Sequence, residues 1–356
     1  MHLINQALEN KIKDLALWLD YFIYLLFSIP KFRKFPKSVN RILVIELLLI
    51  GDLINITPTI KALKKKFTNV KIDVLVLEKM KDVLSGNPNI NKILIYENNF
   101  SKLTKKIRGN NYDLAVILHP GSIKISLALF LAKVKYRIGC TKVGLLTGKG
   151  FLLNKKIMPN TKIQHKVEDN LDVVRSIKAN INEKKLELYT TKESDKKIDD
   201  LFKQNKIAKK DFKVVLHAAA NYKSHEWLPE RFANVADYLV KKHKAKVIFS
   251  GSNLDINLNN KIIKLMKNKA FNFAGTSIKE FFSLIKKADL VISVDTSAMH
   301  VAAAFNKEII ALFELGLGYP KVWYPYTNKR HVIVKGKSMK DIREEDVLKV
   351  IKEVLR

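Results

Sequence analysis

The sequence predicts an α/β protein made of two doubly wound, mostly parallel sheets facing across a cleft, with an extra amphipathic helix at the N terminus. Three observations lead there. Short apolar runs of strand type alternate with helix-patterned segments along most of the chain. The alternation occurs twice, in stretches of similar size joined by a polar connection around Lys184–Asp211. Several apolar runs end in Gly, Asp, Thr or Ser clusters from which a helix begins, the edge at which open α/β sheets bind ligands. The expected division is an N-terminal helix in 1–38, a first Rossmann-like domain in 39–185, a second in 186–335 and a C-terminal helix in 336–356.

Composition narrows the class. The chain has 356 residues, 47% hydrophobic and 28% charged, a globular balance that excludes intrinsic disorder. Sixty-five Lys and Arg against thirty-four Asp and Glu give +31, which suits acidic partners such as nucleotide phosphates or anionic lipid. The lysines are spread evenly and no basic-aromatic or finger signature accompanies them, so a nucleic-acid partner is not expected. The single cysteine, Cys140, excludes an intrachain disulfide and fits a reducing compartment.

The elements follow in order. Leu15–Ile29 is apolar with one charge, Asp20, and is followed by Lys31, Arg33, Lys34 and Lys37. It falls short of the roughly 20 residues a bilayer span needs. Glu9 and Asp14 ahead of it are wrong for a signal peptide. A helix lying in a membrane interface is expected, a helix packed on its own domain being the other reading. Arg41–Ile50 is a buried strand that ends in Gly51-Asp52, and Thr57-Pro58 has the N-cap and first-turn chemistry to open the next helix. Asp52 is thereby expected in an exposed loop at a strand's carboxyl end, ionised at neutral pH. Strands follow at Lys71–Leu77, Lys92–Tyr96 and Tyr112–Leu118, the last leading into His119-Pro-Gly121. An apolar helix, the Tyr136–Gly139 strand, an aperiodic loop over 140–164 and a helix over His165–Ala179 complete the first half.

The second half opens with strand Lys213–Leu216 and the polar loop His217–Arg231. Strand Lys246–Ser250 runs into Gly251–Asp255, which opens a helix, and a helix over Ile278–Ala288 leads to strand Leu290–Val294. Asp295, Thr296 and Ser297 then cap an alanine-rich helix whose small side chains allow close approach to the sheet. Its free N–H groups and positive dipole end can seat a phosphate. Strand Glu308–Phe313 and helix Ile342–Leu355 close the chain. On these residues alone, Asp295–Ser297 is equally an ordinary cap, Asp52 a turn residue and His300 a core histidine.

Two motifs carry a resemblance. Asp295-Thr-Ser-Ala-Met-His-Val-Ala-Ala-Ala304 resembles the Asp-(Ser/Thr)-Gly-x-x-His-Leu-Ala-Ala-Ala signature of glycosyltransferase family 9, the ADP-heptose:lipopolysaccharide heptosyltransferases. Gly51-Asp52, four residues and Thr57-Pro58 are similar to that family's N-terminal motif, whose aspartate is proposed as general base. Departures accompany the likeness. Glu46, Leu47 and Leu48 stand where the family has Arg and small polar residues, and Glu314-Leu315-Gly316 where it often has Gly-Pro-Thr. The loop Lys223-Ser-His225-Glu-Trp227-Leu-Pro229 resembles the Lys-x-Trp-Pro element with one extra residue, and Asp255 is a shortened match to a Gly-Ser-x-x-Glu acid.

The resemblance implies the GT-B arrangement and an inverting, metal-independent transfer of a sugar, a heptose from ADP-heptose, to a lipopolysaccharide-core or related envelope glycan. Asp52 would be the catalytic base. Lys223, His225, Asp255, Asp295, Thr296, Ser297 and His300 would bind the nucleotide-diphospho sugar, with Asp295 holding its loop and His300 assisting at the phosphates. His119 and Lys124 are the candidates for the anionic glycolipid acceptor. No Asp-x-Asp or histidine cluster of metal-ligand spacing occurs, so neither metal nor cofactor is expected. The implied location is the cytoplasmic face of the inner membrane, held peripherally. A nucleotide-sugar epimerase, another GT-B enzyme or a non-catalytic glycan-binding protein stand as alternatives. A nicotinamide dehydrogenase is disfavoured because no Gly-x-Gly-x-x-Gly follows a strand.

Overall fold

The computed structural model describes residues 34–118, 123–140, 152–157, 162–220, 222–315 and 319–355. The apolar run 15–29, and with it the expected N-terminal helix, lies outside the described residues. The first half forms a six-stranded sheet of β1 (Arg41–Ile45), β2 (Lys71–Val76), β3 (Lys92–Ile95), β4 (Leu114–Ile117), β5 (Tyr136–Cys140) and β6 (Lys155–Ile157), in the order β3-β2-β1-β4-β5-β6. Every pairing is parallel. Helices α1 (Ile50–Asn55), α2 (Thr57–Lys66), α3 (Phe100–Arg108), α4 (Ile123–Leu131) and α5 (Lys166–Arg175) cover it. The central strands are mostly apolar because both faces are covered: Ile42 to Ile45 are fully buried, with Val44 beside Val74 and Val116.

After α6 (Lys192–Gln204) the second half repeats the plan. Its strands are β7 (Lys213–His217), β8 (Lys246–Phe249), β9 (Phe271–Asn272), β10 (Leu290–Val294), β11 (Glu308–Phe313) and β12 (Arg330–Val334), in the order β12-β11-β10-β7-β8-β9. Read from its own first strand, this is the same order as the first sheet. Its helices are α7 (Pro229–His243), α8 (Ile256–Leu265), α9 (Ile278–Lys287), α10 (Ser297–Ala304), α11 (Tyr319–Trp323) and α12 (Glu344–Val354). One device is repeated as well. Asp113, just before β4, accepts hydrogen bonds from the Asn40 and Arg41 amides at the head of β1, and Asp289, just before β10, accepts one from Lys213 at the head of β7.

In each sheet the strand order reverses between the first and fourth strands, β1 with β4 and β7 with β10. Crevices therefore open beyond the carboxyl ends of those strands, where Asp52 and Asp295 follow. The lobes are joined by a continuous apolar core that holds Leu53, Ile54 and Val167 from the first and Phe282, Met299 and Ala302 from the second. Polar contacts reinforce it. Lys279 Nζ donates to the carbonyls of Ser85 (2.8 Å) and Tyr189 (2.7 Å). Tyr326 donates to Glu168 Oε1 (2.6 Å), and His165 Nε2 lies 2.8 Å from the Tyr324 carbonyl. Because His165 Nδ1 accepts from the Val167 amide, Nε2 carries the hydrogen and donates it.

Candidate active site

Asp52 does not lie in a loop. It occupies the first turn of α1, a helix hidden in sequence by the unbroken apolar run Leu47–Ile50 and begun ahead of Thr57-Pro58, which opens α2. Its Oδ2 accepts from the Leu49 amide (3.2 Å), while Oδ1 is buried without a hydrogen-bond partner. The carboxylate is also not the exposed group the sequence suggests. Burial pushes its pKa from 3.8 up to about 6, and the negative charge of Glu46 adds to this, whereas the Leu49 amide and Lys166 oppose it. At neutral pH it is still mainly ionised, but as a stronger base than an exposed aspartate.

The opposite lobe supplies the cover. A Cβ at Gly51 would stand 2.7 Å from His300 Cδ2 and 3.2 Å from Nε2, so α1 approaches α10 at a spacing only glycine permits. His300 is enclosed by that contact and by Trp323, whose ring lies edge-on at 6.2 Å. Burial, with His165 nearby, pushes its pKa down to about 3. The imidazole is therefore neutral and enclosed. Its Nδ1 is buried and unpartnered.

The head of α10 is built by hydroxyls. Thr296 is the N-cap and accepts from the Ala298 amide (3.3 Å). Buried Ser293 donates to the Val294 carbonyl (2.7 Å), so the Thr296 hydroxyl donates to Ser293 Oγ at 3.0 Å. These bonds hold the turn, and Asp295 takes no part in them, contrary to the sequence expectation. Asp295 is instead half-buried, its pKa pushed up to about 6 by burial, with His225 pulling down and Glu314 pushing up. His225 Nε2 lies 3.4 Å from Glu314 Oε1. Residues after β7, β10 and β11 thus converge beside the α10 N terminus.

The other candidates sit differently. Lys223 is exposed in the short turn Lys223–His225, on the same loop, with no acidic partner among the described residues. Asp255 closes its own turn, accepting from the Ser252 amide (2.6 Å) and hydroxyl (2.8 Å), and the space beside it is why residue 251 is glycine: a Cβ there would lie 2.7 Å from that of Asp255. Lys124 is tied to the loop after β3, donating to the Asn98 carbonyl and to Asn98 Oδ1 (2.9 Å). His119 lies outside the described residues. Gly51, next to Asp52, is thus set against His300 of α10, the helix headed by Asp295, Thr296 and Ser297, whereas Lys124 and Asp255 are held by neighbours of their own.

Residues that sequence reasoning did not select also gather here. Lys166, nearly buried at the start of α5, faces Asp52, yet nothing in its local sequence sets it apart. Glu46 had a signal, being the lone polar residue between Ile42 and Ile50. Among the described residues no group of three His, Cys, Asp or Glu side chains is placed to hold a metal ion, and no helix is long and apolar enough to cross a membrane.

Two lobes with this repeated strand order, meeting at the carboxyl ends of their central strands, define the GT-B architecture of glycosyltransferases. Residues 100–352 match the model of glycosyltransferase family 9 (heptosyltransferase), and the chain belongs to that family. It is 28% identical over 299 residues to lipopolysaccharide heptosyltransferase 3 of Escherichia coli K12, covering 78% of this chain and 83% of that one. Among solved structures it is similar in fold to a family 9 glycosyl transferase from Veillonella parvula, with a TM-score of 0.81 at 21% identity over 90% of this chain and 98% of that chain. E. coli ADP-heptose lps heptosyltransferase II gives a TM-score of 0.76 at 23% identity, over 88% and 98%.

Proposed function

We propose that this glycosyltransferase moves a heptose from ADP-heptose to a hydroxyl of a lipopolysaccharide-core or related envelope glycan, by direct displacement with inversion and without a metal. The observation that carries the reading is the contact of α1 with α10, which sets the helix that bears a half-buried, proton-hungry carboxylate in one lobe against the helix that follows β10 in the other. Its family membership and the activities its relatives are named for support the donor and acceptor classes.

In this mechanism residues 39–185 hold the acceptor and residues 186–335 the donor. The diphosphate lies on the free amides at the head of α10, with Lys223 as the mobile cation, since a lysine is a point charge suited to phosphate. Asp295 and His225 border that seat, and Asp255 shapes the neighbouring turn. Asp52 takes the acceptor hydroxyl's proton as its oxygen bonds to the anomeric carbon. The bond from that carbon to the diphosphate oxygen breaks, and its electron pair leaves on ADP. His300 acts through packing, keeping α1 and α10 in register. The charge of +31 would meet anionic headgroups at the cytoplasmic membrane face.

The test is to incubate the protein with ADP-heptose and lipopolysaccharide lacking heptose, following acceptor mass and ADP release. The expected result is one heptosyl residue added per ADP, with no addition by Asp52→Asn. Donor turnover that is indifferent to acceptor, or an active Asp52→Asn, would refute it.

A further inference from the structure

We propose that Glu46 is a positioning residue for transfer: its buried carboxylate, hydrogen-bonded within the turn that carries Asp52, sets that base by charge and fixes its aim. The inference rests on Asp52 being the base. Glu46 directly follows β1 and is 0% exposed. Its Oε1 accepts from the Leu48 amide (3.2 Å), and Asp52 Oδ2 accepts from the next amide, that of Leu49 (3.2 Å). Two carboxylates therefore bind successive N–H groups of one turn, which brings like charges together.

The surrounding run, Ile42 to Ile50, is otherwise aliphatic. Burial is the largest cause of the raised proton affinity of Asp52, and the charge of Glu46 adds to it by opposing ionisation. A carboxylate of ordinary strength is a feeble acceptor of an alcohol's proton, and a general base works better as its proton affinity approaches the working pH. The other groups facing Asp52 do not duplicate this effect. Lys166, from the head of α5, acts in the opposite direction, while His300 of α10 and His165 before α5 are buried and uncharged.

The experiment is the pH profile of kcat and KM, between pH 5 and 8, with ADP-heptose and heptose-deficient lipopolysaccharide as substrates. Glu46→Gln keeps an oxygen for the Leu48 amide and nearly the same volume but removes the charge. Its acidic limb should move to lower pH and its plateau kcat should fall, with the donor KM unchanged. Glu46→Asp, which retains charge, should keep a limb close to the parent's. If the Gln variant does not fold, Glu46→Leu takes its place with the same expected shift. A folded variant without the charge whose limb coincides with the parent's would overturn the proposal while Asp52→Asn stays inactive. An active Asp52→Asn would instead overturn the base assignment on which it rests.

Discussion

Replacing Asp52 by Asn should stabilise the protein while removing its activity. Burial and Glu46 raise the Asp52 pKa from 3.8 to about 6, so the folded state holds a proton that the unfolded chain has released throughout that interval. Stability falls with rising pH wherever the native state binds more protons, and here the loss starts near pH 3.8 and is complete above pH 6. At 1.36 kcal/mol for each tenfold change, the displacement corresponds to about 3 kcal/mol at neutral pH. Asn has the same shape, and its amide oxygen still accepts from the Leu49 amide, so the variant escapes the cost without losing the turn. The assay is urea denaturation followed by circular dichroism, for parent and variant, at half-unit steps from pH 4 to 8. Taking the difference cancels the titration of groups that do not sense Asp52. That difference should be near zero at pH 4, grow in the variant's favour up to pH 6 and then level off. A variant no more stable than the parent at pH 7.5 would show that Asp52 is not held at the expense of folding.

Gly51→Ala should cost about 1–3 kcal/mol, the usual penalty of overpacking, because the new methyl would fall 2.7 Å from a ring atom of enclosed His300; a melting temperature at or above the parent's would contradict it. Tyr326→Phe removes the 2.6 Å hydrogen bond to ionised Glu168 between the lobes and should lower stability by roughly 1.5–3 kcal/mol in a melting curve. Lys223→Ala should raise the KM for ADP-heptose without changing the melting temperature, since the side chain is exposed and makes no ion pair among the described residues, while Lys124→Ala should leave that KM alone. Burial lowers His165 and His217 to about 4, so the unfolded chain takes up protons below pH 6.5 that the native state refuses, and stability declines from pH 6.5 toward 4. His217→Asn should make that decline shallower in acid denaturation.

The strands that sequence made legible are those with both faces covered. β1, β4, β7 and β10 are mostly apolar runs because both their faces are covered, and the hydroxyl of Ser293 inside β10 is met by the Val294 carbonyl. The edges were harder to read. β12 is half-buried at every position, β9 has two residues, and β6 is a three-residue strand inside a stretch that reads as loop. Within the candidate site, the spacing Gly51-Asp52-Thr57-Pro58 and the Asp295–Ala304 run located the two poles. The state of the groups there was not legible, because it depends on contacts over long sequence separations. Asp52 looks exposed until α10 is laid against its helix, and His300 looks available as a cation until Gly51 and Trp323 enclose it.

The alanines of the Asp295–Ala304 run are explained by this packing more than by chemistry. From Ala298 to Ala304 every residue of α10 is buried, against its own sheet and against α1, and small side chains let both neighbours come close. Gly51 makes the matching concession from the other lobe. The polar chemistry is confined to the first turn, at Thr296 and Ser297, where amides remain free. Close approach has an electrostatic consequence. Burial is the largest cause of Asp52's raised proton affinity, and its helix is covered in part by a helix of the opposite lobe. Parting the lobes would admit water to the carboxylate and return it toward the ordinary range, so Asp52 is strongest as a base when α1 and α10 are in contact.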